Sequence, residues 1–247
     1  MRYFMQLSYF GKPFHGWQIQ PNAISVQESL NKAASTILGE DIYTVGAGRT
    51  DTGVHARDMW AHFDGGELPD NFLHRMNSLL GPHIALRALY PVKDEAHTRF
   101  DALSRTYEYH FVFRKNPFLT NYAWLVYPRP ELERMKEAAD ALFRFEDFSS
   151  FSRSRTQTMT NNCKIMKVEW EERDDKLIFT IQADRFLRNM VRAIVGTLVE
   201  IGQGKREVGD FADIIAARDR KKAGESAPAH GLYLTKVEYP KDIINGQ

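Results

Sequence analysis

The chain has 247 residues, a single cysteine, and 33 basic against 32 acidic side chains, for a formal net charge of +1. It is long enough to bury a substantial core as one large domain or two small fused ones. The lone Cys163 excludes an intramolecular disulfide framework and a cysteine-rich zinc site, and no apolar run reaches the ~18 residues of a membrane span. The amino terminus lacks an apolar core followed by a small-residue cleavage site, so a cytoplasmic protein without a membrane partner is expected.

In chain order, Tyr3, Met5, Leu7 and Tyr9 alternate as a strand with period two. A Pro13-Phe14 loop leads to a helix over 25–38, where Val26, Leu30, Ala33, Ala34, Ile37 and Leu38 form an apolar stripe. Ser25 stands as its cap before Glu28. Residues 55–64, with Trp60 and Phe63, read as a strand and 71–80 as a helix. Tyr107, Tyr109, Phe111 and Phe113 then alternate again. Pro117-Phe118 follow, and a helix over 130–143 carries Leu132, Met135, Ala138, Ala139 and Leu142 on one face. Strands over 164–170 and 176–183, joined by a polar turn at 171–175, precede a helix over 186–202 that ends at Gly202 and Gly204. A tail strand over 233–239 completes a sheet.

Several identities share one offset of 104 residues, the interval from Tyr3 to Tyr107: Pro13-Phe14 aligns with Pro117-Phe118, Ala34 with Ala138, Leu38 with Leu142, and Arg49 with Arg153. The expectation is an α+β fold of two fused, internally duplicated halves, 1–103 and 104–247, each of the split βαβ type found in ferredoxin-like and RRM-like domains. A continuous mixed or antiparallel sheet would leave a central RNA-binding cleft where the halves meet.

The stretch Gly46-Ala47-Gly48-Arg49-Thr50-Asp51-Thr52-Gly53-Val54-His55-Ala56 reads as a reaction centre. Glycine at 46, 48 and 53 permits close backbone approach, and on an extended segment Arg49 and Asp51 share a face. An ionised carboxylate so placed serves as nucleophile or base; the competing reading is a tight turn in which Asp51 bonds local amides. Arginines and lysines recur at 99, 105, 114–115, at 153, 155, 164, 167, and at 185, 188, 192, among Phe100, Tyr107, Tyr109, Phe151 and Phe186. Cations for phosphates and flat rings for bases suit looped or single-stranded nucleic acid. His55 and His62 with Asp51 and Asp64 outwardly suggest a metal cluster, but their spacing on a strand does not put all four on one face.

The glycine-rich stretch resembles the signature of the tRNA pseudouridine synthase A family. Other segments are similar to that family's blocks in the same order: Phe14-His15-Gly16-Trp17-Gln18 with Ser25-Val26-Gln27-Glu28, Ser104-Arg105-Thr106-Tyr107-Glu108-Tyr109, Phe186-Leu187-Arg188-Asn189-Met190-Val191-Arg192 and Ala227-Pro228-Ala229-His230-Gly231-Leu232. Thr52 departs from it, alanine being usual there. The resemblance implies isomerisation of uridine to pseudouridine at positions 38 to 40 in the tRNA anticodon stem-loop, by a homodimer with no metal or organic cofactor. It implies Asp51 as the essential carboxylate, attacking the sugar or assisting glycal formation, and Tyr107 as the ring that stacks on the target uracil. Arg192 is the first choice of ion-pair partner for Asp51 and Arg188 the alternative. Arg49, Arg105, Arg153 and Arg188 are expected to bind substrate, Arg49 at the space vacated by the flipped base. A noncatalytic RNA-binding module and an aspartate-dependent hydrolase are the other classes in view.

Overall fold

A computed structural model describes residues 1–153 and 160–244; Arg155 of the second basic segment lies outside them. In chain order the elements are β1 (Arg2–Tyr9), α1 (Val26–Leu38), β2 (Val45–Gly46), β3 (His55–Asp64), α2 (Phe72–Leu79), β4 (Ile84–Val92), β5 (Ser104–Val112), β6 (Trp124–Leu125), α3 (Leu132–Ala139), β7 (Ile165–Arg173), β8 (Lys176–Ala183), α4 (Met190–Gly202), α5 (Asp210–Ala217), β9 (Leu232–Glu238) and α6 (Lys241–Ile244). The fold is α+β, with mixed, largely antiparallel strand pairing. Two compact units form: Met1–Ser104 with Tyr233–Gln247, and Arg105–Leu232. The tail strand thus lies with the amino-terminal residues, unlike a division that keeps 104–247 together, because β9 runs parallel to β3 through His55↔Tyr233 and Ala56↔Leu234.

In the first unit β1 runs antiparallel to both β3 and β4, and β2 adds a short pairing on β3. Ser25 caps α1 by accepting from the Glu28 amide, and Gly39 ends it in the left-handed region at φ 71°. Met5 and Leu7 of β1 and Val26 and Leu30 of α1 are all fully buried, and Phe63 stacks on Tyr3 (5.5 Å) and on Phe72 of α2 (5.9 Å). The simple alternation of β1 fails at Phe4, which is also fully buried: Tyr239, Trp60 and His62 cover the second face at 5.6, 6.5 and 6.0 Å. Each such side chain contributes about 1.5–3 kcal/mol of burial, so β1 is the keel of this unit.

In the second unit β8 lies between β5 and β7, both antiparallel, and β6 pairs parallel with β5. The nearly all-apolar α4 packs on α3, with Gly202 so close to Met135 that a Cβ would fall 2.7 Å from its Cγ. Three predicted boundaries move for local reasons. The helix expected over 130–143 ends at Ala139 and tightens into a 3₁₀ turn, Asp140–Arg144. The turn after β7 shrinks to Asp174 and Asp175, both at positive φ (51° and 59°), the arrangement of a two-residue hairpin. The helix expected from 186 starts at Met190, because Asn189 sits in the left-handed region at φ 67°.

Candidate active site

The stretch 46–56 owes its path to contacts with residues 11–17. Gly46 passes the Trp17 indole so closely that a Cβ would lie 2.5 Å from a ring carbon, and the Ala47 amide donates to the Trp60 carbonyl at 2.7 Å. Thr50 turns inward: its hydroxyl is 2.8 Å from the Tyr9 hydroxyl, and its carbonyl accepts from the Trp17 amide at 3.1 Å. Its neighbours differ in exposure, Arg49 being exposed and Asp51 half-buried. Asp51 opens a turn closed by the Val54 amide donating to the Asp51 carbonyl at 3.1 Å. Gly53 takes its third position at φ 80°, as a type II turn requires.

This turn is braced from outside. The Gly53 amide donates to the Phe14 carbonyl at 3.4 Å. Gly16, at φ 91°, would place a Cβ 2.6 Å from the Thr50 carbonyl oxygen, and Gly11 would place one 1.9 Å from that of Val54. The brace is tied in turn to the start of α1, where the amides of Val26 and Gln27 donate to the carbonyls of Gly16 and Trp17. The buried Gln27 side chain donates to the Thr44 carbonyl at 2.6 Å and accepts from the Ile19 amide at 3.1 Å. Gly48, by contrast, has an ordinary φ and open space where a Cβ would go, so the fold does not demand glycine there. The result is a carboxylate carried on a turn with little freedom, the preorganisation that covalent or base chemistry needs.

The two histidines of β3 have structural partners. His55 Nδ1 accepts from the Gly11 amide at 2.9 Å, and the ring lies between Phe10 (4.9 Å) and Tyr233 (4.7 Å). His62 Nδ1 is 2.8 Å from the Thr98 hydroxyl; burial, with His97 and Arg2 nearby, pushes His62 down to about 4. Asp64 accepts two bonds from Arg2, each 2.8 Å, which hold its carboxyl below the usual range. Among the described residues no group of three or more His, Cys, Asp or Glu is arranged to hold a metal.

The second unit arranges the other candidates around the start of α4. Tyr107, half-buried on β5 opposite Ile181, sets its ring edge-on to Phe186 at 5.1 Å. Arg105 donates to the Asp184 carbonyl at 2.8 Å. The Arg153 amide donates to the Arg188 carbonyl at 3.1 Å, which joins two candidates whose side chains are both exposed. Arg192, in the first turn of α4, is clasped: its Nε donates to the Ala227 carbonyl at 2.7 Å, and the Ala227 amide donates back to the Arg192 carbonyl at 2.9 Å.

Tyr109 is the residue that sequence reasoning left as mere pattern. Its hydroxyl donates to the Pro228 carbonyl at 2.7 Å, and a Cβ on Gly231 would fall 2.7 Å from its ring. Burial holds this phenol well above the ordinary tyrosine value, with Arg192 opposing the shift. The 223–231 segment that receives both Tyr109 and Arg192 lies tight along α4, where a Cβ on Gly196 would meet the Glu225 carbonyl oxygen at 1.8 Å. Its one sequence signal was the Ala227 to Leu232 block.

Fold and site together define a class: an α+β protein that carries a carboxylate, that of Asp51, on a glycine-braced turn. Residues 138–240 match the model of a family described as tRNA pseudouridine synthase. A protein named tRNA pseudouridine synthase A from Bacteroides thetaiotaomicron is 51% identical over 249 residues, covering 99% of this chain and 93% of its own. Proteins of the same name from Bacteroides fragilis and Porphyromonas gingivalis are 51% and 48% identical, each covering 98% of this chain and 98% and 99% of their own. The chain belongs to the tRNA pseudouridine synthase A family, a family of isomerases. No helix among the described residues is long and apolar enough to cross a membrane.

Proposed function

We propose that this chain converts uridine to pseudouridine at positions 38 to 40 of the tRNA anticodon stem-loop, in the cytoplasm, with Asp51 as the essential group. The observation that carries this reading is the braced turn holding Asp51 within a stretch of the family's signature. In the reaction the bond from ribose C1′ to uracil N1 breaks, the uracil turns while held, C5 joins C1′, and the C5 proton leaves as N1 gains one. Substrate and product are isomers, so the balance calls for no redox carrier and no added water. Asp51 either attacks C1′ or takes a ribose proton; both routes need its ionised form.

Tyr107 supplies the ring on which the uracil stacks, and Arg192 the cation that keeps the carboxylate charged. Arg192 is the choice over Arg188 for that role because it is half-buried where Arg188 is exposed. Arg49, Arg105, Arg153 and Arg188 serve phosphates and neighbouring bases; Arg49 and Arg188 are exposed, as that role requires. Two units of duplicated origin supply these groups, a reading supported by the long strand that opens each of them, β1 and β5, and by the helix that comes later in each, with the short β6 as an addition in the second. A homodimer is part of the proposal, favoured by Phe118, Tyr122, Leu125 and Tyr127, all exposed within one short stretch.

The test uses pure protein and tRNA transcript carrying tritium at uracil C5, in the presence of chelator. Wild type should release tritium and Asp51→Asn should not. Tight tRNA binding without release would replace the isomerase by a noncatalytic RNA-binding module. Sedimentation as a monomer at micromolar concentration would remove the dimer.

A further inference from the structure

We infer that His55 is a positioning residue for Asp51, acting through the backbone of Gly11; the reaction it serves is the one proposed above. Gly11 and the start of β3 meet in a buried corner where three observations coincide. The Gly11 amide has His55 Nδ1 as acceptor at 2.9 Å. The Gly11 α-carbon is packed so closely on Val54 that a side chain there would stand 1.9 Å from the Val54 carbonyl oxygen. Val54 in turn closes the turn that Asp51 opens, through its amide at 3.1 Å from the Asp51 carbonyl. The path from imidazole to carboxylate therefore runs through one hydrogen bond, one close packing contact and one turn-closing bond.

The chemistry at each end explains why a histidine stands here. An amide buried beside Val54 is costly to leave without an acceptor, so the corner needs one on β3. An imidazole accepting at Nδ1 meets that need and carries its proton on Nε2. Phe10 at 4.9 Å with 17° between ring planes, and Tyr233 at 4.7 Å, hold the ring in one orientation. The Arg57 guanidinium lies over the Tyr233 ring at 5.0 Å and adds a cation–π contact to it. Removing the acceptor would free Gly11 to seek another partner, and the segment that moves with it includes Phe14 and Gly16, which contact Gly53 and Thr50 on either side of Asp51. A shift of about 1 Å at a reacting group costs on the order of 10²-fold in rate.

The experiment compares wild type, His55→Leu and His55→Asn, the asparagine offering Oδ1 near the place of Nδ1. Single-turnover tritium release and tRNA affinity are measured together, with hydrogen exchange of the Gly11 amide followed by NMR. His55→Leu should release tritium about 10²-fold more slowly, keep tRNA affinity within about twofold, and exchange Gly11 faster; His55→Asn should recover most of the rate and the protection. A His55→Leu protein that folds, leaves Gly11 protected and turns over at the wild-type rate overturns the inference. So does a loss in which affinity falls in step with rate and asparagine restores neither. If wild type itself releases no tritium, the isomerase reading fails, and Gly11 exchange in the three proteins still decides whether His55 holds this corner.

Discussion

The Asp51 turn of the first unit and the Arg192 clasp of the second both rest on a glycine that admits a backbone carbonyl, but they differ in whether the functional side chain is itself an anchor. Around Asp51 the closest approaches are backbone against backbone, with glycines at 11 and 16 letting two chain segments come to distances that any Cβ would forbid and Gly53 supplying the positive φ, while the side chains of Tyr9 and His55 brace that frame. Around Arg192 a backbone bond to Ala227 and the close approach of the Glu225 carbonyl to Gly196 are joined by the functional side chain itself, whose guanidinium reaches the Ala227 carbonyl. A backbone-set position tolerates almost no substitution in its frame and does not use its functional side chain as the anchor. A side-chain-set position spends part of the functional group on the anchor. The proposed roles match: a carboxylate that must react suits the first kind of frame, and a cation that only balances charge tolerates the second.

The largest effect should come from adding one methyl to each frame. Gly11→Ala forces a contact at 1.9 Å and Gly196→Ala one at 1.8 Å, each against a carbonyl oxygen that cannot rotate away. Overpacking of this kind costs about 1–3 kcal/mol or more in stability. The two should separate in function: Gly11→Ala should abolish measurable tritium release, whereas Gly196→Ala should leave a reduced rate, since Arg192 keeps its length and flexibility. Equal loss of rate in two folded variants would break the distinction between the frames.

The difference also decides what the sequence disclosed. Glycine and proline punctuate the chain, so the 46–56 stretch and the 11–17 loop stood out, and only the idle role of Gly48 needed coordinates. The strands 55–64 and 176–183 were legible because buried and exposed residues change at their ends in both pattern and composition. The start of α4 was not, because the left-handed Asn189 is fixed by its side chain donating to Ser226, 37 residues away, a contact no local pattern carries. Tyr109 failed for the same reason: an alternating aromatic looks like core until Pro228 and Gly231 are seen against it. Strand β4 lacked a clean alternation and ends beside Pro91, and α5 is short and begins at Gly209 without a side-chain cap.

A smaller test concerns Tyr109 alone. Tyr109→Phe removes the donor to the Pro228 carbonyl and keeps the ring against Gly231, so stability should fall by about 1 kcal/mol. The rate should drop only slightly, because Arg192 retains its own bond to Ala227. Denaturant unfolding and tritium release on the same preparation check both. A large loss of rate at near-normal stability would mean that the tyrosine hydroxyl, more than the guanidinium clasp, sets the position of the second unit's cation.

The smallest effect sharpens the comparison through pH. In the second unit, burial pushes Tyr109 and Cys163 upward, Cys163 to about 12, so both stay neutral at acid and neutral pH. In the first, burial pushes His62 down to about 4 from 6.5. A histidine whose folded value is depressed binds its proton more readily in the unfolded chain, so stability is highest above 6.5 and declines as pH falls toward 4. His97, lowered for the same first cause, adds to the decline. Urea unfolding at pH 7 and pH 5 should therefore show acid destabilisation that His62→Gln reduces, with the remaining slope owed to His97 and the carboxylates. A slope unchanged in His62→Gln would show that folding does not depress this histidine, and the acid loss would then fall to His97 and to carboxylates such as Asp64, which Arg2 holds in the charged form on the same strand.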